Sequence, residues 1–178
     1  MRAPVVEPML SSLPGNFGSK PGRRFWTELT ADVPVGIDGR VYKVPRGYEY
    51  DGSSIPSLFG LLWWLIGTPM QWPFSYAGAW HDAAYTDDLY WVSPSGYAES
   101  CYFNPVDAHA IYAAIIRTCL LARAQTRWQR FRAHLTAHRC WLGVAGYGAV
   151  WGNKHGYVSW ETYCERHRNP RMYVRNQT

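Results

Sequence analysis

The sequence predicts an α+β protein: a small N-terminal antiparallel sheet followed by a mainly helical body with an antiparallel helix pair. Three observations carry this. Short strand-like runs joined by turn residues lie between Arg24 and Tyr50. After Asp51 the hydrophobic spacing changes from a period of two to a helical one. And 178 residues with 47% hydrophobic and only 17% charged side chains suit one folded domain and exclude a mainly disordered chain.

The elements follow in order. Residues 1–22 carry Pro4, Pro8, Pro14, Gly15, Gly18, Pro21 and Gly22, which reads as an extended arm rather than a packed element. Arg24–Thr30 and Arg40–Val44 read as strands, with Gly36-Ile37-Asp38-Gly39 between them as a hairpin turn. Pro45-Arg46-Gly47 turns the chain again into Tyr48-Glu49-Tyr50. Ser57–Ile66 reads as an apolar helix with Ser53, Ser54 and Pro56 as start signals. Phe74–Tyr85 reads as a second helix, and 87–105 as a long polar and aromatic loop. Pro105 suits a helix start, and Val106–Ala124 is the strongest helical pattern. Trp128 to about Tyr147 forms the next helix, with Trp128, Phe131, Leu135 and Leu142 on one stripe. The organisation expected is an arm at 1–22, one α+β domain at 23–152 and a basic tail at 153–178.

Charge and aromatic content limit the partners. The net charge is +5, carried by 15 Arg against 3 Lys, and no Asp or Glu occurs from Ala108 to Trp160. Such a face favours anions, and Arg suits bidentate contact with phosphate or carboxylate. An anionic lipid surface, an acidic protein, or nucleic acid contacted by Arg123, Arg127 and Arg130 all fit; a plain solvated helix face fits equally. No base-reading motif accompanies the arginines. Aromatic residues make up 16% of the chain, enough for some rings to lie outside the core. The longest apolar run, Leu58–Ile66, is far short of the roughly 20 residues a membrane span needs. The N-terminus lacks the apolar core of a signal peptide. Cys101, Cys119, Cys140 and Cys164 are widely spaced and form no CxxC pair, which argues against a zinc knuckle.

Three stretches could carry chemistry. Tyr50-Asp51-Gly52-Ser53-Ser54-Ile55-Pro56 sets an acid, a glycine and two hydroxyls between a strand and a helix; it can hold a cation or an oxyanion, or simply cap the helix through Asp51 or Ser53. In Trp80-His81-Asp82-Ala83-Ala84-Tyr85 the imidazole and carboxylate diverge by about 100°. They can flank one site, His81 handling a proton and Asp82 holding a metal, with Tyr85 one turn later on the face of His81; a core histidine beside a surface acid is the plainer alternative. Asp107, in Asn104-Pro105-Val106-Asp107-Ala108-His109-Ala110, faces the same way as Ala110, Ile111 and Ala114. Antiparallel helices would let it meet His81 and orient a general base; alone it would favour the helix N-terminus. His134 and His138 lie four apart, but their arginine neighbours disfavour a zinc ion.

In this order the three stretches resemble a phage- and prophage-encoded family of unknown function, whose members show a DGASIP-like loop, an HDxLY-like helix and an Asp-led, alanine-rich helix. Val44-Pro45-Arg46-Gly47-Tyr48 also resembles the family's leading strands, and the likeness covers roughly residues 24–150. It implies a phage origin and a place in the virion or the host cell. A more distant likeness is to the calcium-dependent secreted phospholipases of the A-two class. That resemblance implies His81 as the base, Asp82 as a calcium ligand, Asp107 as the acid orienting His81, and Tyr85 supporting it. The Asp51-Gly52 loop would complete the calcium site. The bracing cysteines of those enzymes are missing, since Ala77, Gly78 and Ala84 stand around His81. The function expected is a calcium-dependent hydrolase of an envelope ester such as a phospholipid. The alternative is a non-enzymatic virion or tail component docking on other virion proteins through its arms and aromatic surface.

Overall fold

The computed structural model describes residues 4–20, 23–50, 71–85, 88–93, 98–101, 103 and 105–147. Its elements are β1 (Val6–Pro8), β2 (Gly15–Lys20), β3 (Arg23–Leu29), β4 (Val33–Ile37), β5 (Arg40–Val44), β6 (Glu49–Tyr50), α1 (Phe74–Tyr85), β7 (Tyr90–Val92), β8 (Ala98–Ser100), α2 (Pro105–Arg123) and α3 (Arg127–Tyr147). The α+β reading holds. The Asp51–Pro56 loop, the Ser57–Ile66 segment and the 153–178 tail lie outside the described residues.

Two antiparallel sheets form. One has the order β1-β4-β5-β7-β8, the other β2-β3-β6. The β4–β5 hairpin closes on Ile37 opposite Arg40. Its two turn residues, Asp38 and Gly39, take φ of 49° and 79°. Positive φ at both centres of a two-residue turn matches the right-handed twist of the strands, and Asp-Gly is among the pairs that tolerate it. Asp38 also ties down the chain start. Its N–H donates to the Val5 carbonyl at 2.9 Å, and its Oδ1 accepts the Val5 N–H at 3.0 Å.

The N-terminal segment is therefore no loose arm. β1 pairs with β4 and β2 with β3, and Val6 and Leu13 are buried in the core. The prolines fall where they cost little: Pro8 ends β1, and Pro4 and Pro14 lie just outside strands. Gly15 is needed for close approach, since a Cβ there would meet Thr27 Cγ2 at 2.9 Å.

Two further departures involve short strands. β4 reads as a turn because Pro34 and Gly36 interrupt it. In the sheet, β1 reaches only as far as Val35, so Pro34 sits past its end. Gly36 faces Glu7, whose Cβ would lie 3.0 Å from an added side chain. Within 87–105, β7 and β8 form a hairpin at the sheet's edge, Trp91 opposite Glu99. Three-residue strands are too short to show a period.

α1 is the centre of the molecule. Phe74, Tyr76, Ala77, Ala79, Trp80, Ala83 and Ala84 are all buried, as an all-round apolar helix must be. Polar tips tie it to both sheets. Tyr50 Oη donates to the Ser75 carbonyl at 3.1 Å, and Tyr76 Oη donates to the Pro34 carbonyl. The C-terminal half of α1 lies against the N-terminal half of α2.

A three-residue connection turns α2 into α3. Thr126 Oγ1 accepts the Gln129 N–H at 3.1 Å. Gln129 Oε1 accepts in return the N–H groups of Gln125 at 2.7 Å and Thr126 at 3.1 Å. This capping box satisfies donors that a helix start leaves open. α3 packs on α2 through Ala133, Ala137, Cys140 and Val144. The stripe of Trp128, Phe131, Leu135 and Leu142 exists but faces away from the core, on the opposite side of the helix. Small side chains let the two helix axes approach, and the large ones are left outside.

Candidate functional site: a buried histidine pair

The α1–α2 contact brings His81 to His109. His81 Nε2 lies 3.1 Å from His109 Nδ1, with ring centroids 5.3 Å apart at 25°. Tyr112, one turn after His109, is tilted against the His81 ring with centroids 5.1 Å apart. His81 Nδ1 lies 3.4 Å from Asp82 Oδ1. The histidines are 8% and 7% exposed, while the Asp82 side chain is 20% exposed.

Burial sets the charge state. It pushes His81 down to about 3 and His109 down to about 4, where repulsion from a charged His81 adds to it. Both rings are neutral at ordinary pH. A carboxylate only accepts, so the contact with Asp82 puts the His81 proton on Nδ1. Nε2 of His81 then accepts from Nδ1–H of His109. In that tautomer His109 carries its own proton on Nδ1. Asp82, His81 and His109 thus line up through contacts of 3.4 and 3.1 Å.

Asp107 does not take the place expected for it. It stands two residues before His109, so the two side chains leave the helix about 160° apart. His109 points to α1; Asp107 is exposed. Asp107 does share a face with Ala110, Ile111 and Ala114, but that face lines an open groove of about 930 Å³ that also takes in Arg117 and His134. The side chain of α2 that meets His81 Nε2 is His109. Its signal in the sequence was the spacing of His109 from Tyr112 and Ile116, one buried stripe along α2.

The other site residues divide. Tyr85 closes α1, and its side chain lies outside the described residues, as do Asp51 and Gly52. Among the described residues no group of three or more His, Cys, Asp or Glu side chains could hold a metal ion, His134 and His138 included. Cys119 and Cys140 are buried thiols, each pushed up to about 12 by burial, and supply no nucleophile at neutral pH. Arg123 is engaged within the fold: its guanidinium stacks 3.7 Å from the Trp72 ring and donates to the Ser11 carbonyl at 3.3 Å. Arg127 and Arg130 are exposed on α3. Among the described residues no helix is long and apolar enough to cross a membrane.

Compared with protein-family models, with curated proteins and with solved structures, the chain matches none.

Proposed function

We propose that this is a phage-encoded hydrolase of an envelope ester, a phospholipid in the first instance, with the His81–His109 pair handling the proton. The observation that carries the reading is the Asp82–His81–His109 chain. Hydrolysis needs a base to take a proton from water as its oxygen adds to the ester carbonyl. The same proton then goes to the alcohol oxygen as the carbon–oxygen bond breaks. In this reading the His81–His109 pair takes and returns that proton. His81 fixes the His109 ring, and the Asp82 carboxylate steadies the positive charge while it lasts.

Calcium, which the phospholipase resemblance brings with it, asks for six to eight oxygen ligands. The described residues supply Asp82 and do not make that set, so no step here runs through the ion. The test is fatty-acid release from mixed phospholipid vesicles, with calcium and with chelator, for the wild type and His81→Ala matched by circular dichroism. A loss of 100-fold or more in the variant is expected. Folded wild type that releases no fatty acid under either condition would sink the lipid-hydrolase reading.

One observation favours a second reading, a non-enzymatic virion or tail component. General-base catalysis is most efficient when the base titrates near the working pH, and burial holds these rings at about 3 and about 4. A pair so situated serves well as a neutral clamp between α1 and α2. Co-purification with phage particles, together with an inactive but folded protein, would establish it.

A further inference from the structure

We propose that the outer face of α3 is a docking surface for an anionic lipid bilayer. α3 is apolar on two opposite sides. The inner side carries Ala133, Ala137, Cys140 and Val144 and is spent on α2. The outer side carries Trp128, Phe131, Leu135 and Leu142, which are 64%, 54%, 36% and 52% exposed. On a helical projection these four fall within about 60° of one another. They form a seam roughly 21 Å long at 1.5 Å per residue. The rings of Trp128 and Phe131 stack at 5.4 Å, so the wide end of the seam is a preformed aromatic plate.

The seam is flanked by cations on both sides. Arg132 and Arg139 lie along one edge, and Arg127 along the other. The sequence carries no Asp or Glu from Ala108 to Trp160. This is the make-up of a helix that lies in the plane of a membrane interface. Rings and leucines sink to the acyl boundary, and arginines reach back to phosphate. Each arginine near an anionic leaflet adds attraction that falls off within a Debye length.

The same features disfavour the other occupants. In a two-fold contact with a second copy, the arginine rims would face their own counterparts, at a repulsive cost. Single-stranded nucleic acid would use the arginines and the two rings, but half the seam is leucine, which offers bases no ring face. The surface stands apart from the hydrolase reading, because it shares no residue with the histidine pair.

Vesicle flotation of the full-length protein tests it. The probes are phosphatidylcholine vesicles with and without 25% phosphatidylglycerol, at about 50 mM and about 500 mM salt, the range over which screening acts. We expect binding to the anionic vesicles, at least 10-fold weaker to neutral ones and at the higher salt. Trp128→Ser/Leu135→Ser should lose at least 10-fold with an unchanged melting temperature, since both side chains are exposed. Arg132→Gln/Arg139→Gln should flatten the salt dependence. Met9→Ser, at a residue 52% exposed elsewhere on the molecule, should bind as the wild type does. His81→Asn should also bind normally, whatever its effect on ester hydrolysis. Failure to float, or flotation that survives the Trp128/Leu135 change, overturns the proposal. So does oligo-dT binding, or concentration-dependent dimerisation, that the double change abolishes while vesicles stay unbound.

Discussion

A neutral imidazole held inside a protein by a second imidazole depends on that partner for its hydrogen bond. Replacing His109 with Leu should therefore leave His81 Nε2 without its partner in apolar packing and cost about 1–3 kcal/mol in urea unfolding. The double change to Leu at both positions should cost less than the sum of the single changes, because no polar atom is then stranded. Strict additivity would show that the two rings do not depend on each other. The pair also makes the fold acid-sensitive. Both rings titrate below the ordinary 6.5 when folded, so the unfolded chain binds more protons as pH falls through that value. Stability should be full above about pH 6.5 and decline towards pH 4. The slope is at most about 1.4 kcal/mol per pH unit for each histidine. Denaturant midpoints across pH 7.5–4.5 check this, and a flat profile would mean the rings are not buried as drawn. At this level the sequence showed the right helices but not the His81–His109 contact. His81 was legible as chemistry because an acid follows it directly. His109 was overshadowed by Asp107, the acid two positions away, and only the direction of each side chain from the helix separates them.

The capping box at the head of α3 offers a prediction for the helices. Thr126→Ala removes the oxygen that receives the Gln129 N–H and should cost about 1 kcal/mol, read from the thermal midpoint. An unchanged midpoint would show that the α2–α3 turn is held by packing alone. The boundaries of β5 and α1 were legible to the residue, and those of α2 and α3 to within one. Each is long enough to show its period, or is bracketed by turn residues. β1, β4, β7 and β8 were not. They are three to five residues long, and proline or glycine within β1 and β4 reads locally as a break. Only pairing with a neighbouring strand makes them sheet, and pairing is not a local property. The exposed stripe on α3 shows the converse failure. Large apolar residues at helical spacing look like a core face, but the buried residues of α3 are Ala133, Ala137, Cys140 and Val144.

The architecture as a whole separates the two proposed sites, the histidine pair between α1 and α2 and the outer face of α3. The histidine pair locks α1 to α2 near the centre, and the apolar, arginine-rimmed face of α3 looks outward. An enzyme working on membrane lipid would use the α3 face to hold the surface and the histidine pair to move a proton. A virion component would use the pair only as a neutral clamp between α1 and α2. The most direct discriminator is fatty-acid release from phosphatidylglycerol-containing vesicles by the wild type and by His109→Ala, each first shown to be folded and vesicle-bound. We expect release by the wild type and a loss of at least 100-fold in the variant with binding intact. Equal release by the two proteins would contradict a proton-handling role for the pair. No release from bound, folded wild type would contradict the lipid hydrolase itself.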